Sequence, residues 1–332
     1  MLETTRLNIP EAARKSLEGE ALQREEALQV LDLPRERLPE LLEAVYTVRR
    51  TYKGNRVGIQ ILTNARSGDC TQNCAYCAQS RDAKSSPGAY RLVPLRKLLD
   101  DGSLAQRKGL SRHCIGLSGI RFSDREIDEF ADHVRRLKQT SNAHICCSIG
   151  FLTPQQARKL KEAGVNRINH NLNTSRRFYP EICTTHTYLQ RLENIRMLQE
   201  EGFEICCGGI VGLGESREDV ADMFFDIRAI RPQSVPVNFL IPVGGTALEK
   251  ADVSPLTPEY CLKVLSLARL MIPQADIRCA AGREIYLKGR EKEMFHAVDS
   301  IFASGYLTVG GQSVEDAIRM VAEAGFESNV EY

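Results

Sequence analysis

Three cysteines, Cys70, Cys74 and Cys77, fall within eight residues in the spacing C-x3-C-x2-C. Three thiolates hold three irons of a cubane iron–sulfur cluster, whereas a closed structural zinc site needs four ligands. A cubane held this way keeps one iron open to a small molecule. A strand-like run, Val57–Ala65, ends just before Cys70, which places the triad on a loop after a strand. A zinc knuckle with a distant fourth ligand, or three unrelated core thiols, are the other readings of the same residues. The loop position favours the cluster.

The triad needs elements to hold it. With 332 residues the chain has room for one large α/β barrel or two average domains. Eleven cysteines and no secretion signal in Met1–Asn8 predict a reducing, cytoplasmic setting and metal or redox use of the thiols. No apolar run is long enough for a membrane span. The net charge is only +1, with acidic and basic residues interspersed as in Arg24-Glu25-Glu26, so no nucleic-acid footprint is expected.

β-rich segments recur at intervals: Val57–Ala65, His113–Ser118, His144–Gly150, Arg167–Asn173, Glu204–Gly209, Val235–Val243, Asp276–Ala281 and Ser300–Leu307. Amphipathic helical stretches lie between most of them, at Leu92–Lys108, Asp124–Gln139, Pro154–Ala163, Tyr188–Glu201, Arg217–Ile230, Pro258–Leu270 and Glu291–Ala297. Strands alternating with helices mean parallel β/α units, and eight of them predict a (β/α)8 TIM-type barrel. Residues 1–52 read as an N-terminal helical extension, 53–320 as the barrel and 321–332 as a C-terminal tail. Chemistry in such a barrel belongs at the C-terminal ends of the strands.

Side chains alternate between the faces of a strand. In the third strand Ile145, Cys147 and Ile149 form an apolar set that should meet the helices, which turns Cys146 inward. The same parity turns Cys114 of the second strand, Cys206 of the fifth and Arg278 of the seventh into the barrel. An arginine buried beside thiols needs anionic company, so this trio is a candidate second metal site. The competing reading is that cysteine is often a small buried hydrophobe. That reading is assigned to Cys147, Cys183, Cys207, Cys261 and Cys279.

The fourth strand carries Asn169, Asn171 and Asn173 at alternate positions. Amides suit ribose hydroxyls, a ureido group or an amino acid; a ladder capping the barrel is the plainer reading. His170 between them is expected to pack on the outside. The glycine-rich run Gly208–Gly214 is expected to let the backbone approach an adenosine closely. Asn238, Phe239, Leu240 and Ile241 end the sixth strand at a site-facing position. The segment Thr308–Gly311 follows the eighth.

The cysteine triad, with Tyr76 before its last member, resembles the signature of radical S-adenosylmethionine (SAM) enzymes. From about Leu41 onward the chain resembles the biotin synthases. Matching blocks are Ser67–Cys70 through Cys77–Ser80, Asn169–Ser175, Cys206–Glu215, Ser234–Asn238 and Ala281–Glu284. The resemblance implies conversion of dethiobiotin to biotin by sulfur insertion. It implies that Cys70, Cys74 and Cys77 hold a SAM-binding [4Fe–4S] cluster. It implies that Cys114, Cys146, Cys206 and Arg278 hold an auxiliary [2Fe–2S] cluster that donates sulfur. Tyr76, Asn171, Asn173, Ile210 and Ile241 would contact SAM; Asn171 and Asn238 would bind the ureido ring, and Thr308 the carboxylate. A homodimer and a flavodoxin- or ferredoxin-type electron donor are implied as well.

The chain departs from that family pattern in places. Asn173 stands where an aspartate is usual, and Val309 where the second of two threonines is usual. The doublets Cys146-Cys147, Cys206-Cys207 and Arg278-Cys279 are less usual, and leave open an auxiliary cluster larger than [2Fe–2S]. They also leave open a related enzyme with another substrate, such as lipoyl-type sulfur insertion or cofactor maturation. A non-enzymatic iron–sulfur or zinc protein is the third reading.

Overall fold

The structure is a computed structural model that describes residues 6–84, 88–305 and 310–329. It opens with three helices, α1 (Ile9–Leu17), α2 (Arg24–Leu31) and α3 (Leu38–Lys53). Asn8 starts α1 by accepting the Glu11 N–H at 3.1 Å. Leu41, Val45 and Val48 on α3 are fully buried, and α3 packs against α1 and against a later helix, α10 (Pro258–Met271).

The barrel follows in strand–helix order. Its elements are β1 (Arg56–Arg66), α4 (Leu95–Arg107), β2 (Arg112–Leu117), α5 (Asp124–Thr140), β3 (His144–Ser148), α6 (Pro154–Ala163), β4 (Arg167–Asn169), α7 (Tyr179–Ile182) and α8 (Tyr188–Glu200). They continue with β5 (Glu204–Cys206), β6 (Gly209–Val211), α9 (Arg217–Ile230), β7 (Ser234–Phe239), α10, β8 (Asp276–Cys279), α11 (Arg283–Tyr286), β9 (Ser300–Ala303), α12 (Val314–Glu323) and β10 (Glu327–Asn329). All pairings between the strands are parallel, and β9 returns to β1, so the sheet closes on itself. The β5 and β6 segments together make one interrupted stave and β10 adds to β1 outside the closed ring, which leaves eight staves, the (β/α)8 barrel that the alternation predicts.

Several helices begin with a polar residue whose side chain accepts from the first turn while a residue three further on answers it: Ser123 with Glu126, Thr153 with Gln156, Thr187 with Gln190 and Ser216 with Asp219. The starts at Ser123, Thr153 and Ser216 follow β2, β3 and β6 within a few residues, which keeps those loops short.

Register decides which residues meet. Cys114 pairs with Leu62 on one side and with Cys146 on the other. Asn169 pairs with Cys206, and Arg278 with Ser300. The fifth stave breaks at Gly208 because a Cβ there would stand 1.9 Å from the Pro236 carbonyl oxygen. The glycine run is thus first a packing requirement of the barrel wall.

Some boundaries differ from those expected. The fourth strand ends at Asn169, since Asn173 turns with φ +73°. The eighth ends at Ala303, and Thr308 and Val309 lie outside the described residues. The stretch after Arg290 winds as a 3-10 turn, Glu291–His296. Helix α12 runs through the expected boundary at 320, and β10 adds to β1, so the terminal segment joins the sheet.

Replacing Gly208 by alanine should lower stability by about 3 kcal/mol through overpacking, read from urea unfolding. Gly88→Ala, with nothing within 4 Å of the new carbon, should stay within about 0.5 kcal/mol. Equal midpoints for the two variants would contradict the packing account.

Candidate active site

Strands β2, β3 and β5 bring Cys114, Cys146 and Cys206 to the inner face of the barrel, where they form one buried group with Leu62, Ala280 and Phe302. Arg278 from β8 is fully buried beside them. Its Nη1 lies 4.0 Å from the Cys206 sulfur, its Nη2 donates to Ser234 Oγ at 2.9 Å and its Nε to Ser300 Oγ at 3.3 Å. The guanidinium also lies 4.9 Å from the centre of the Phe302 ring. Burial would raise the carboxyl of Asp276, yet Arg278 and Arg167 hold it well below the usual carboxylate range. Cys114 donates to Gln60 Oε1 at 3.4 Å. Its hydrogen bond with Cys146, and then Arg278, hold its thiol below the ordinary range against the effect of burial.

Cys147, Cys207 and Cys279 sit on the opposite face, fully buried in the helix-side core. The doublets therefore add no thiol to the inner trio, and the larger auxiliary cluster they left open gains no ligand from them. Cys183 is also buried, but not in plain apolar company. Its sulfur lies 3.8 Å from that of Cys74 and 3.2 Å from His186 Nδ1. These three side chains present donor atoms within 4.8 Å of one another, a soft ligand set that shares Cys74 with the loop triad.

Above the trio opens a cavity of about 390 Å³ at the C-terminal ends of the strands. Cys70, Cys74 and Cys77 all line it, as do Tyr76, Asn171, Asn173, Ile210, Asn238 and Ile241. Leu62 and Phe302 line it from below and also touch the trio, so one apolar layer joins the two sulfur groups. The triad loop is folded by its own backbone. The Cys77 N–H donates to Cys74 O at 3.1 Å, Ala75 N–H donates to Ile182 O in α7 at 2.9 Å, and Gly68 N–H donates to Gln79 Oε1 at 2.9 Å. Burial pushes the Cys77 thiol up, the condition of a thiol awaiting a metal that stabilises its anion.

The three asparagines do not form one strand face, yet all three reach the cavity. Asn171 Oδ1 accepts from Gly208 N–H at 3.0 Å, and the Asn171 Nδ2 makes no hydrogen bond among the described residues. Asn238 is engaged twice, donating to Gly209 O at 3.0 Å and accepting from Ala281 N–H at 3.3 Å. Its first role is to stitch β6, β7 and the turn after β8. His170 is buried against Phe151 with ring centres 5.2 Å apart, and its ring also borders the cavity. Burial holds it neutral, far below the usual imidazole range. Thr308 lies outside the described residues.

Sequence reasoning missed Arg191 and His186. Arg191 reaches in from α8, donating through Nε to Tyr179 Oη at 2.6 Å and through Nη1 to Asn171 O at 3.1 Å, with Nη2 2.8 Å from His186 Nε2. Among the described residues it has no carboxylate partner, so a half-buried cation faces the cavity. Nothing local signals Arg191. The Cys183 and His186 pair, three residues apart, is a metal-type spacing visible in the sequence, whereas Cys183 alone reads as a buried hydrophobe.

Residues 65–227 match the Radical SAM superfamily, and residues 236–327 match the Biotin and Thiamin Synthesis associated domain. The biotin synthase of Geobacillus kaustophilus is 41% identical over 315 residues, covering 95% of this chain and 94% of the relative. The chain belongs to the biotin synthase family. The biotin synthases of Halalkalibacterium halodurans and Bacillus subtilis are 40% and 39% identical, over 97% and 96% of the chain and 96% and 94% of theirs. Among solved structures, methylornithine synthase superposes with a TM-score of 0.83 at 19% identity, covering 96% of this chain and 97% of that one. The [FeFe]-hydrogenase maturase HydG of Carboxydothermus hydrogenoformans gives 0.80 at 18%, over 96% and 78%. These two likenesses speak to the fold alone.

Members of this family are radical SAM enzymes that use a [4Fe–4S] cluster, SAM and an auxiliary iron–sulfur cluster. The residues present fit such groups. Three thiols of one loop line a single cavity, and all eleven cysteines are free. The inner thiols are buried with a guanidinium against them. No helix among the described residues is long and apolar enough to cross a membrane.

The parity of the doublets is open to test by metal analysis. Cys146→Ala should lose the auxiliary share of iron and labile sulfide while keeping the loop cluster. Cys147→Ala should keep both and lose only a few degrees of melting temperature. The reverse pattern would mean that the strand faces are assigned backwards.

Proposed function

We propose that the protein converts dethiobiotin to biotin by radical SAM chemistry. The observation that carries this reading is one cavity with a sulfur group on its wall and a second beneath its floor. The loop thiols line its side, and the barrel trio lies beneath a single layer formed by Leu62 and Phe302. When bound, the loop cluster supplies the electron that splits SAM to a 5′-deoxyadenosyl radical, and the auxiliary cluster supplies the sulfur.

The chain's own residues have three tasks. Cys70, Cys74 and Cys77 would hold the loop cluster, and Cys114, Cys146, Cys206 and Arg278 would hold the auxiliary cluster. Tyr76, Asn171, Asn173, Ile210 and Ile241 hold SAM against the cavity wall, and Arg191, which has no carboxylate partner among the described residues, pairs with the carboxylate of SAM. The free Nδ2 of Asn171 donates to the ureido oxygen of the substrate, Asn238 braces the wall behind it, and Thr308 takes the substrate carboxylate. A C–H bond without acidity is opened by no ordinary base, so positioning and exclusion of water decide the rate. Buried Leu240, Phe239 and Ile149 on the cavity wall supply that exclusion. We further propose a cytoplasmic homodimer reduced by a flavodoxin- or ferredoxin-type donor. An N-terminal helical extension, residues 1–52, ahead of the barrel belongs to the same proposal.

Anaerobic protein with both clusters restored, given SAM, a reductant and dethiobiotin, should yield 5′-deoxyadenosine and biotin. Deoxyadenosine without biotin would redirect the reading to another substrate, and neither product would end it. Cys206→Ala should still cleave SAM while forming no detectable biotin.

A further inference from the structure

Barrel interiors are normally closed at the bottom by layers of branched apolar side chains. This one is not. A second cavity of about 360 Å³ lies at the N-terminal mouth, next to the exposed Arg56. It is walled by Lys53, Arg112 and His144 and, at its inner end, by Gln60, Asp276 and Ser300. The inner wall touches the auxiliary site directly. Gln60 accepts from the Cys114 thiol at 3.4 Å, Ser300 accepts from Arg278 Nε at 3.3 Å, and Asp276 Oδ2 lies 3.4 Å from Arg278 Nη2. One layer of small polar groups separates this cavity from the thiol trio.

The charges around the cavity favour an anion. Asp299, which also lines it, is engaged by Arg269 and lies 3.4 Å from Arg49. Asp276 and Glu204 face a larger set of cations. Arg167 and Arg112 lie near Glu204, Arg167 also approaches Asp276 at 3.9 Å, and Arg278 adds a third guanidinium. Arg167 Nη1 is buried without a hydrogen bond. Lys53 brings a further cation, and its ammonium makes no hydrogen bond or ion pair among the described residues. Burial disfavours its charged form, and Asp299 and Asp276 offset this against Arg269 and Arg167; both carboxylates already answer other guanidinium groups, which leaves room for water or an anion beside the ammonium.

We propose that this lower cavity is the port through which hydrosulfide reaches the auxiliary site. The inference rests on the reading of that cluster as a sulfur donor, since a donor consumed in turnover must be resupplied. Hydrosulfide is small, singly charged and a soft donor matched to a site built of thiols. The upper route runs past the SAM and substrate positions, whereas the lower one leaves them undisturbed. Lys53 and Arg112 draw the anion in, and the Gln60 and Ser300 layer passes it to Cys114 and Arg278.

The test uses the protein with both clusters after one turnover has emptied the auxiliary site. Ferric iron and sodium sulfide are then added anaerobically; ferric iron and hydrosulfide make a [2Fe–2S] core with loss of protons and no added electron. Return of the [2Fe–2S] absorption is followed with time. Lys53→Glu should slow reloading about tenfold by reversing the steering charge, Lys53→Arg should restore it, and SAM cleavage should be unchanged in both. Lys53 ends α3, so the change leaves the barrel core intact. Reloading in the parent protein should continue when SAM and dethiobiotin fill the upper cavity. Equal rates in Lys53→Glu and parent, or a parent whose reloading stops when the upper cavity is filled, would overturn the port alone. An auxiliary signal that never returns in the parent, without biotin having formed, would overturn the sulfur-donor reading and the port with it.

Discussion

A guanidinium in the middle of a barrel is the constraint on which the rest depends. Arg278 is fully removed from water, where an isolated charge is very costly. Ser234, Ser300 and Asp276 meet its donors, Phe302 lies over its plane and three thiols stand beside it. The groups that relieve the cost this way sit on six different strands, β2, β3, β5, β7, β8 and β9. That requirement holds the barrel register in place, because a slip of one residue would send every one of them to the other face.

The same closure sorts the chemistry by height. The loop after β1 stands at the strand tips, where backbone hydrogen bonds shape it and solvent reaches it in part. The inner trio lies deeper, each member with a ladder partner on both neighbouring strands. The upper thiols are therefore accessible to a small molecule that docks and leaves, and the lower ones are shielded by Leu62 and Phe302. A reactive carbon species survives only where water is kept away, and the apolar layer between the two levels answers that need. Polarity returns below the trio, where Gln60, Arg112 and Asp276 occupy positions that a purely structural barrel fills with aliphatic side chains.

Backbone demands and ligand demands compete for the same amides. Asn238 was expected to face a ligand, and it does line the cavity, but both ends of its amide are taken by main-chain groups that hold the interrupted stave. Asn171 is divided, with its oxygen on Gly208 and its nitrogen left over. Gly208 itself is dictated by the Pro236 carbonyl. The break in the fifth stave, the asparagines and the glycine run are thus one device, in which the wall of the site is also a joint of the barrel.

Much of this was legible in the residues alone. Alternation with period two is local, so the inward turn of Cys114, Cys146, Cys206 and Arg278, and the outward turn of Cys147, Cys207 and Cys279, followed from the apolar partners on each strand. The order of strands and helices likewise determined the barrel, and the cysteine spacing determined the loop. Contacts between distant segments were not legible. Arg191 lies on a helix more than a hundred residues after the triad loop with which it shares a cavity, and Cys183 reads as a plain buried thiol until the end of α7 sets it against Cys74. Only closure of the sheet placed Lys53 and Arg112 around one cavity, because which side chains meet across a barrel depends on register and stagger, properties of the whole ring that no single segment encodes.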